Sequence, residues 1–276
     1  MRFCDERTRP SVDLVNRIKV ENPQNVIDLG CGPGNSTKIL RKRWPDARIV
    51  GLDSSAEMIE TARSEMPAIE WTLSNIEDWQ PEASYDVVFS NAALQWIPKH
   101  ALLLESLFAK VTLGGAIAFQ IPSSEFPAVR LLIHEIAQEG AWAGRMDGPL
   151  GQLTMETPGT YYNLLTPSAR SVDIWQTEYF HIMDSAAAIV DWIATTGLRA
   201  FLDALESEEE ISLFTASIGR QCRRRGNQIG ALQRRVWLPG SRPQWCAAVA
   251  HPLGSDSCSG GLRCSLKLGW IGQMLN

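Results

Sequence analysis

Apolar positions fall into short continuous runs separated by stripes with helical spacing. Val26-Ile27-Asp28-Leu29, Ile49-Val50-Gly51-Leu52, Tyr85-Asp86-Val87-Val88-Phe89 and Ala116 to Ile121 are the runs. Short apolar runs bounded by turn residues read as strands buried on both faces. With a weaker run, they predict strands at about 25–29, 48–52, 69–73, 85–89 and 116–121. Between them, Val12, Leu14, Val15 and Ile18 make one face of a helix over 10–20, and Leu103, Leu104, Leu107 and Phe108 one over 100–110. Further helices are expected over 35–43 and from Ser54-Ser55 onward, where Glu57 places a favourable charge in the first turn. This alternation predicts an α/β fold, Rossmann-like, with a mostly parallel, right-handed sheet flanked by helices.

The rhythm breaks between 123 and 172. A helix at 127–139, a Gly/Pro-rich loop at 144–159 and the pair Tyr161-Tyr162 read there as a helical, substrate-covering insertion. Val172 to Phe180 alternates like a sixth strand, and a helix at 185–195 ends near Gly197. A seventh strand would complete the sheet, but the best candidate, Trp245 to Val249, is weak. The expectation is therefore a final strand that is missing and a sheet edge left incomplete. Residues 1–216 read as one domain and 217–276 as an atypical basic Cys/Arg/Gly-rich tail, poorly ordered.

Composition narrows the class. The chain has 276 residues, 45% hydrophobic and 21% charged, ordinary for one large globular α/β domain. Its net charge of −5 is uneven: −13 over 1–216 and +8 over 217–276. Arg223-Arg224-Arg225 and Arg234-Arg235 are scattered among Gly, Trp and Cys, with no RNA-binding pattern, so no nucleic-acid partner is expected. The tail reads instead as a replaced end of the fold, such as a change of reading frame produces. No apolar run reaches the roughly 18 to 20 residues of a bilayer span, and Met1 to Arg9 is charged, without an apolar signal core. The six cysteines lack metal-ligand spacing. A monomer in a reducing cytoplasm, with no metal, is expected.

The chemistry lies in Asp28-Leu29-Gly30-Cys31-Gly32-Pro33-Gly34, followed 25 residues after Asp28 by Asp53 at the end of the second run. A glycine turn between strand and helix lets the backbone approach a nucleoside-type ligand. Asp53 is placed for ribose hydroxyls. The glycines are spaced G-x-G-x-G rather than the dinucleotide G-x-G-x-x-G, and Asp28 would repel a pyrophosphate but suit an ammonium and a sulfonium. The run resembles the first motif of class I S-adenosylmethionine-dependent methyltransferases. That resemblance implies S-adenosylmethionine as cofactor, with Asp28 and the backbone of Gly30, Cys31 and Gly32 near its methionine part and Asn35 opening the helix beside it. It places Asp53 on the ribose, Ser54 and Met58 around the adenine, and Asn75 and Ile76 at the adenine edge, where the family usually has Asp. Asn91 falls beside the methyl group. Asn75 also reads as a turn residue, Asn91 as a strand terminator, and Cys31 as packing.

Residues 5 to about 215 further resemble the trans-aconitate 2-methyltransferase family. The matching stretches are Asp5 to Pro10, Asp28 to Thr37, Asn91-Ala92-Ala93-Leu94-Gln95-Trp96, Val172 to Trp175, Tyr179-Phe180-His181 and Thr196 to Arg199. The family usually starts about fifteen residues earlier and ends on a different strand. The implied reaction forms a monomethyl ester on a carboxylate of trans-aconitate or a related small polycarboxylic acid. A carboxylate with a pKa near 4 is already ionised at neutral pH, so no catalytic acid or base is assigned. The other carboxylates need cations: Arg7, Arg9, His181 and Arg199 are candidates, with Trp96, Tyr161 and Tyr162 walling the pocket. Arg199 also reads as a helix C-terminal cap, His181 as structural, and Trp96 as core. The alternatives are a different small-molecule acceptor and a paralogue that binds cofactor without turnover.

Overall fold

In the computed structural model the described residues are 4–123, 128–151, 153–177, 179, 182–183, 185–194, 197–224, 231–232, 235–237 and 245–252. One sheet holds β1 (Asn25–Leu29), β2 (Arg48–Asp53), β3 (Glu70–Leu73), β4 (Tyr85–Asn91), β5 (Val111–Pro122), β6 (Ala169–Thr177) and β7 (Trp245–Pro252). Their order is β3-β2-β1-β4-β5-β7-β6. The pairs among β1 to β5 are parallel, and β7 is antiparallel to both β5 and β6. The strand–helix alternation thus folds as the apolar runs predict.

The helices are α1 (Cys4–Arg17), α2 (Asn35–Arg43), α3 (Ala56–Glu65), α4 (His100–Phe108), α5 (Ala128–Ala137), α6 (Asp147–Gly151), α7 (Pro158–Leu165), α8 (Ala186–Ala194), α9 (Arg199–Asp203) and α10 (Glu208–Arg224). The first begins six residues before the expected start and runs through Pro10. Leu14, Val15 and Ile18 bury against one sheet face with Val26, Leu40, Ile49 and Val87. Leu103, Leu104 and Leu107 of α4, with Tyr161 and Leu165 of α7, cover the other. At the amino edge, Asp86 accepts from the N–H groups of Gln24 and Asn25 (2.7 and 3.0 Å) and from the Thr112 hydroxyl (2.8 Å). Burial pushes its carboxyl up, but those three bonds prevail and hold it below the usual range.

The expectation of a missing final strand is corrected. Residues 245–252 fill the slot between β5 and β6, with Ala248 opposite Phe119 on one side and Ile174 on the other. Cys246, Ala247, Ala248, Val249 and Ala250 are all buried. A strand buried on both faces shows no alternation, and alanine carries little strand propensity, so the segment was nearly silent. Small side chains suit a slot bounded by strands on both edges and apolar layers on both faces.

The helical layer is wider than 123–172. A separate apolar cluster joins Leu132, Ile136, Trp142 and Met146 to Ile189 and Ile193 of α8, Phe201 of α9, and Phe214 and Ile218 of α10. Arg145 fastens it, reaching Glu206 at 2.9 Å and Glu210 at 2.6 Å. Position 217 falls inside α10. No helix among the described residues is long and apolar enough to cross a membrane.

A charge in the β7 slot would be buried without a partner. Ala248→Asp is expected to cost at least about 3 kcal/mol of stability, read as a lowered thermal midpoint. An unchanged midpoint would remove β7 from the core of the sheet.

Candidate functional site

β1 ends at Leu29 and the chain turns through three glycines with left-handed backbone: Gly30 (φ 69°), Gly32 (φ 54°) and Gly34 (φ 91°). The turn is fastened to β2, because the Leu52 carbonyl accepts from the N–H of Gly30 (2.7 Å) and of Cys31 (3.0 Å). A Cβ on Gly30 would stand 2.2 Å from the Ala93 Cβ, so only glycine fits beneath the loop that follows β4. At Gly32 a Cβ would meet nothing within 4 Å. The turn is closed at its base and open at its crest.

Asp28 lies behind the turn with no exposed surface. Its Oδ2 accepts from the hydroxyls of Ser36 (2.7 Å) and Thr37 (2.6 Å), while Oδ1 has no partner. The α2 N-cap, Gly34, has no side chain to offer, and the first turn of α2 has no acid. The buried carboxylate provides negative charge there instead. Burial pushes its carboxyl up to about 6; the two hydroxyl bonds oppose that shift and the charge of Asp53 adds to it. Cys31 is buried, and burial pushes its thiol far up, so it packs rather than reacts.

Asp53 joins two turns. Its Oδ2 accepts from the N–H of Gly32 (2.8 Å) and its Oδ1 from the N–H of Ser55 (2.9 Å). Ser55 then caps α3 by accepting from the Met58 N–H at 3.4 Å. Met58 and Asn35 are half-buried and Ser54 is exposed. The Ser74 N–H donates to the Asp53 carbonyl at 3.0 Å, bringing the turn after β3 alongside. There Asn75 is exposed and donates to Asp78 at 2.9 Å. Ile76 lies beside Gly30, 3.8 Å from where a Cβ would stand.

At the end of β4, Asn91 is half-buried and its Oδ1 accepts from Gln120 Nε2 at 3.1 Å. Ala92 follows in a left-handed conformation (φ 57°). The Gln120 main-chain carbonyl and Gln95 Nε2 hold it, and the two glutamines are 2% and 4% exposed. Neither was anticipated as a site residue, although a glutamine inside the apolar run 116–121 was a signal.

The residues expected on the acceptor side are less gathered. Arg9 is exposed, with its guanidinium 5.1 Å from the centre of the Tyr179 ring. The Tyr179 hydroxyl donates to Asp13 at 2.7 Å. Trp96, just after the Asn91–Ala92 corner, is 44% exposed, and Tyr162 is 42% exposed. Tyr161, expected at the pocket wall, is fully buried instead. Its hydroxyl meets His100 Nδ1 at 2.5 Å and accepts from the Glu156 N–H at 3.1 Å. His100 Nε2 faces the Leu94 carbonyl at 2.9 Å, so that nitrogen carries the proton and Nδ1 accepts from Tyr161. Tyr161 therefore pins α7 to α4. Arg199 is exposed and opens α9, five residues after the end of α8 at Ala194. Among the described residues no hydrogen bond or ion pair ties Arg9 or Arg199 to the glycine turn. His181 and the Arg7 side chain lie outside the described residues. Among the described residues there is no metal-ligating cluster.

Residues 26–115 match the methyltransferase domain family. The chain is similar to the trans-aconitate 2-methyltransferase of Methylobacterium radiotolerans, 45% identical over 218 residues, 78% of this chain and 84% of that protein. It is 43% identical over 216 residues to the one of Azoarcus sp. (strain BH72), 78% of this chain and 85% of that protein. Among solved structures it resembles coclaurine N-methyltransferase bound to N-methylheliamine and SAH, with TM-score 0.56 and 16% identity, covering 90% of this chain and 71% of that one. The YcgJ protein of Bacillus subtilis gives TM-score 0.55 at 11% identity, covering 89% and 99%. At such identities these structures show the fold.

The raised Asp28 carboxyl sets a sign. Its native value of about 6 exceeds the ordinary 3.8, so the native state holds a proton that the unfolded chain has lost between those values. Its contribution to stability is full below pH 3.8 and disappears as pH rises through about 6. The span corresponds to roughly 3 kcal/mol. Denaturant titrations across pH 3.5–6.5 are expected to show this slope in the native chain and its loss in Asp28→Asn.

Proposed function

We infer that this chain, which belongs to the trans-aconitate 2-methyltransferase family, esterifies one carboxylate of trans-aconitate or a closely related small polycarboxylic acid, with S-adenosylmethionine as donor. The observation that carries the reading is the open crest at Gly32, with Asp53 and Asn91 at the ends of β2 and β4 and Asn75 in the turn after β3. The residues present suit this donor. Glycine keeps a Cβ out of the space above the turn, and each Asp53 oxygen, already holding one backbone N–H, has a second lone pair for a ribose hydroxyl.

S-Adenosylmethionine, when bound, supplies a methyl group made electrophilic by its sulfonium. The chain holds and aligns the reactants. We assign the backbone of Gly30, Cys31 and Gly32, with Asn35, to the methionine part, Asp53 to the ribose, Ser54 and Met58 to the faces of the adenine, and Asn75 and Ile76 to its edge. Asp78 binds the Asn75 amide N–H, which leaves the Asn75 side-chain carbonyl as the acceptor for an amino group. The expected direct contact from Asp28 is revised: with no exposed surface, it acts through its charge beneath the turn, favouring a cationic ligand.

The acceptor arrives ionised, so no group on the protein has to remove a proton. Arg9, stacked on Tyr179 and exposed, keeps its N–H fork available for a second carboxylate, and Arg7 lies two residues before it on α1. Trp96 and Tyr162 offer exposed aromatic surface for walls, and Arg199 and His181 remain assigned to the acceptor on the resemblance alone. An acidic body of net charge −13 over 1–216 supports a small-molecule acceptor rather than nucleic acid. The buried thiols of Cys31 and Cys246 carry no disulfide, which supports a reducing compartment; we take the active unit to be the monomer.

Incubation with S-adenosylmethionine and a panel of di- and tricarboxylic acids, followed by mass spectrometry, is expected to give one added methyl on trans-aconitate in preference to the others. Methylation of an amine or phenol instead, with the acids untouched, would overturn the reading. Donor affinity is also expected to fall as pH drops through about 6, because Asp28 then loses the charge that favours a cation; calorimetric titration at pH 5 and 8 measures it.

A further inference from the structure

Two buried glutamines stand behind the end of β4. Burying an amide is costly unless its bonds are used, so their partners show what they hold. Gln120 gives its side-chain Nε2 to the Asn91 Oδ1 at 3.1 Å, and its main-chain carbonyl accepts from the Ala92 N–H at 2.8 Å. Gln95 gives Nε2 to the Ala92 carbonyl at 2.7 Å while its Oε1 is buried without a partner. Both peptide groups of Ala92 are thus gripped, and Ala92 sits at φ 57°, which a residue with a Cβ rarely adopts. The Thr154 N–H donates to the Gln95 main-chain carbonyl at 2.8 Å, tying the helical layer to the same corner. Local strain held from several sides marks a place where the direction of a neighbouring group matters.

We propose that Gln120 is a positioning residue that turns the Asn91 amide so that its NH2 faces the reacting carboxylate of the acceptor. This rests on the carboxylate acceptor inferred above. An amide has an accepting end and a donating end, and Gln120 occupies the accepting end. The Asn91 NH2 has no partner among the described residues. A carboxylate accepts hydrogen bonds and cannot donate them, so it matches that NH2, and its full charge makes it a stronger partner than a neutral hydroxyl or amine. One carboxylate oxygen, held by Asn91, leaves the other to form the O–CH3 bond as the C–S bond breaks and its electron pair stays on sulfur. No proton moves.

Gln120→Glu tests this by pH. A buried glutamic acid is pushed up by its burial. Protonated, it donates to Asn91 as glutamine does; ionised, it can only accept, and Asn91 must turn its carbonyl toward the substrate. The expected result is a KM for trans-aconitate close to that of the native chain at pH 5.5 and about 10- to 100-fold higher at pH 8.5. The variant-to-native ratio for donor affinity should stay constant over the same range. If Gln120→Glu fails to fold, Gln120→Met is expected to raise the KM at every pH with donor affinity retained. A native-like KM at pH 8.5 in a folded variant, or a loss that follows donor affinity instead, overturns the positioning role. A native chain that esterifies no carboxylic acid overturns the acceptor assignment, and the positioning role falls with it.

Discussion

Main-chain N–H groups of the flanking turns converge on the last two residues of β2. Gly30 and Cys31 donate to the Leu52 carbonyl, and Gly32 and Ser55 to the Asp53 carboxylate. A turn through three left-handed glycines has little intrinsic reason to hold one shape, since glycine is the residue with most freedom to lose. Here the freedom is removed by the neighbouring strand. The same bonds set the start of α2 and of α3, and hence where Asn35 and Met58 stand. Asp28 completes the arrangement from below by holding the Ser36 and Thr37 hydroxyls. The carboxyl edge of the sheet is therefore shaped by the protein's own bonds, which suits a transfer reaction that depends on alignment.

The parallel half of the sheet was plain in the sequence because strands buried on both faces are written as unbroken apolar runs. β7 was nearly illegible for a related reason: small residues fill its slot, and Cys246-Ala247-Ala248-Val249-Ala250 has neither the period nor the bulk that marks a strand. What identifies it is partnership, since β5 and β6 each leave an edge that only a further strand can satisfy. The extent of the helical layer was hidden likewise. Phe214 and Ile218 lie some eighty residues from Leu132, and nothing local announces that they share a cluster.

The places of Gly30 and Asp53 in the turn were legible because turn chemistry is local. Roles that depend on burial were not. Asp28 looked like a ligand contact and proves to be an internal anchor, because the turn it precedes folds over it. Tyr161 looked like an exposed wall and proves to be a peg between α7 and α4, because His100, far back in the chain, offers its hydroxyl a partner. Gln120 sits inside an apolar run and Gln95 inside the Asn91–Trp96 stretch, and neither pattern says that its glutamine holds the β4 corner.

The central claim is that the Gly30–Gly34 turn and Asp53 hold the methyl donor at the carboxyl edge, with the acceptor carboxylate beside Asn91. A crystal structure of the chain with S-adenosylhomocysteine and trans-aconitate tests this most directly. The account predicts the ribose hydroxyls within hydrogen-bonding distance of Asp53 and an acceptor carboxylate against the Asn91 amide nitrogen. A nucleoside bound away from Asp53, or an acid held away from Asn91, would contradict it.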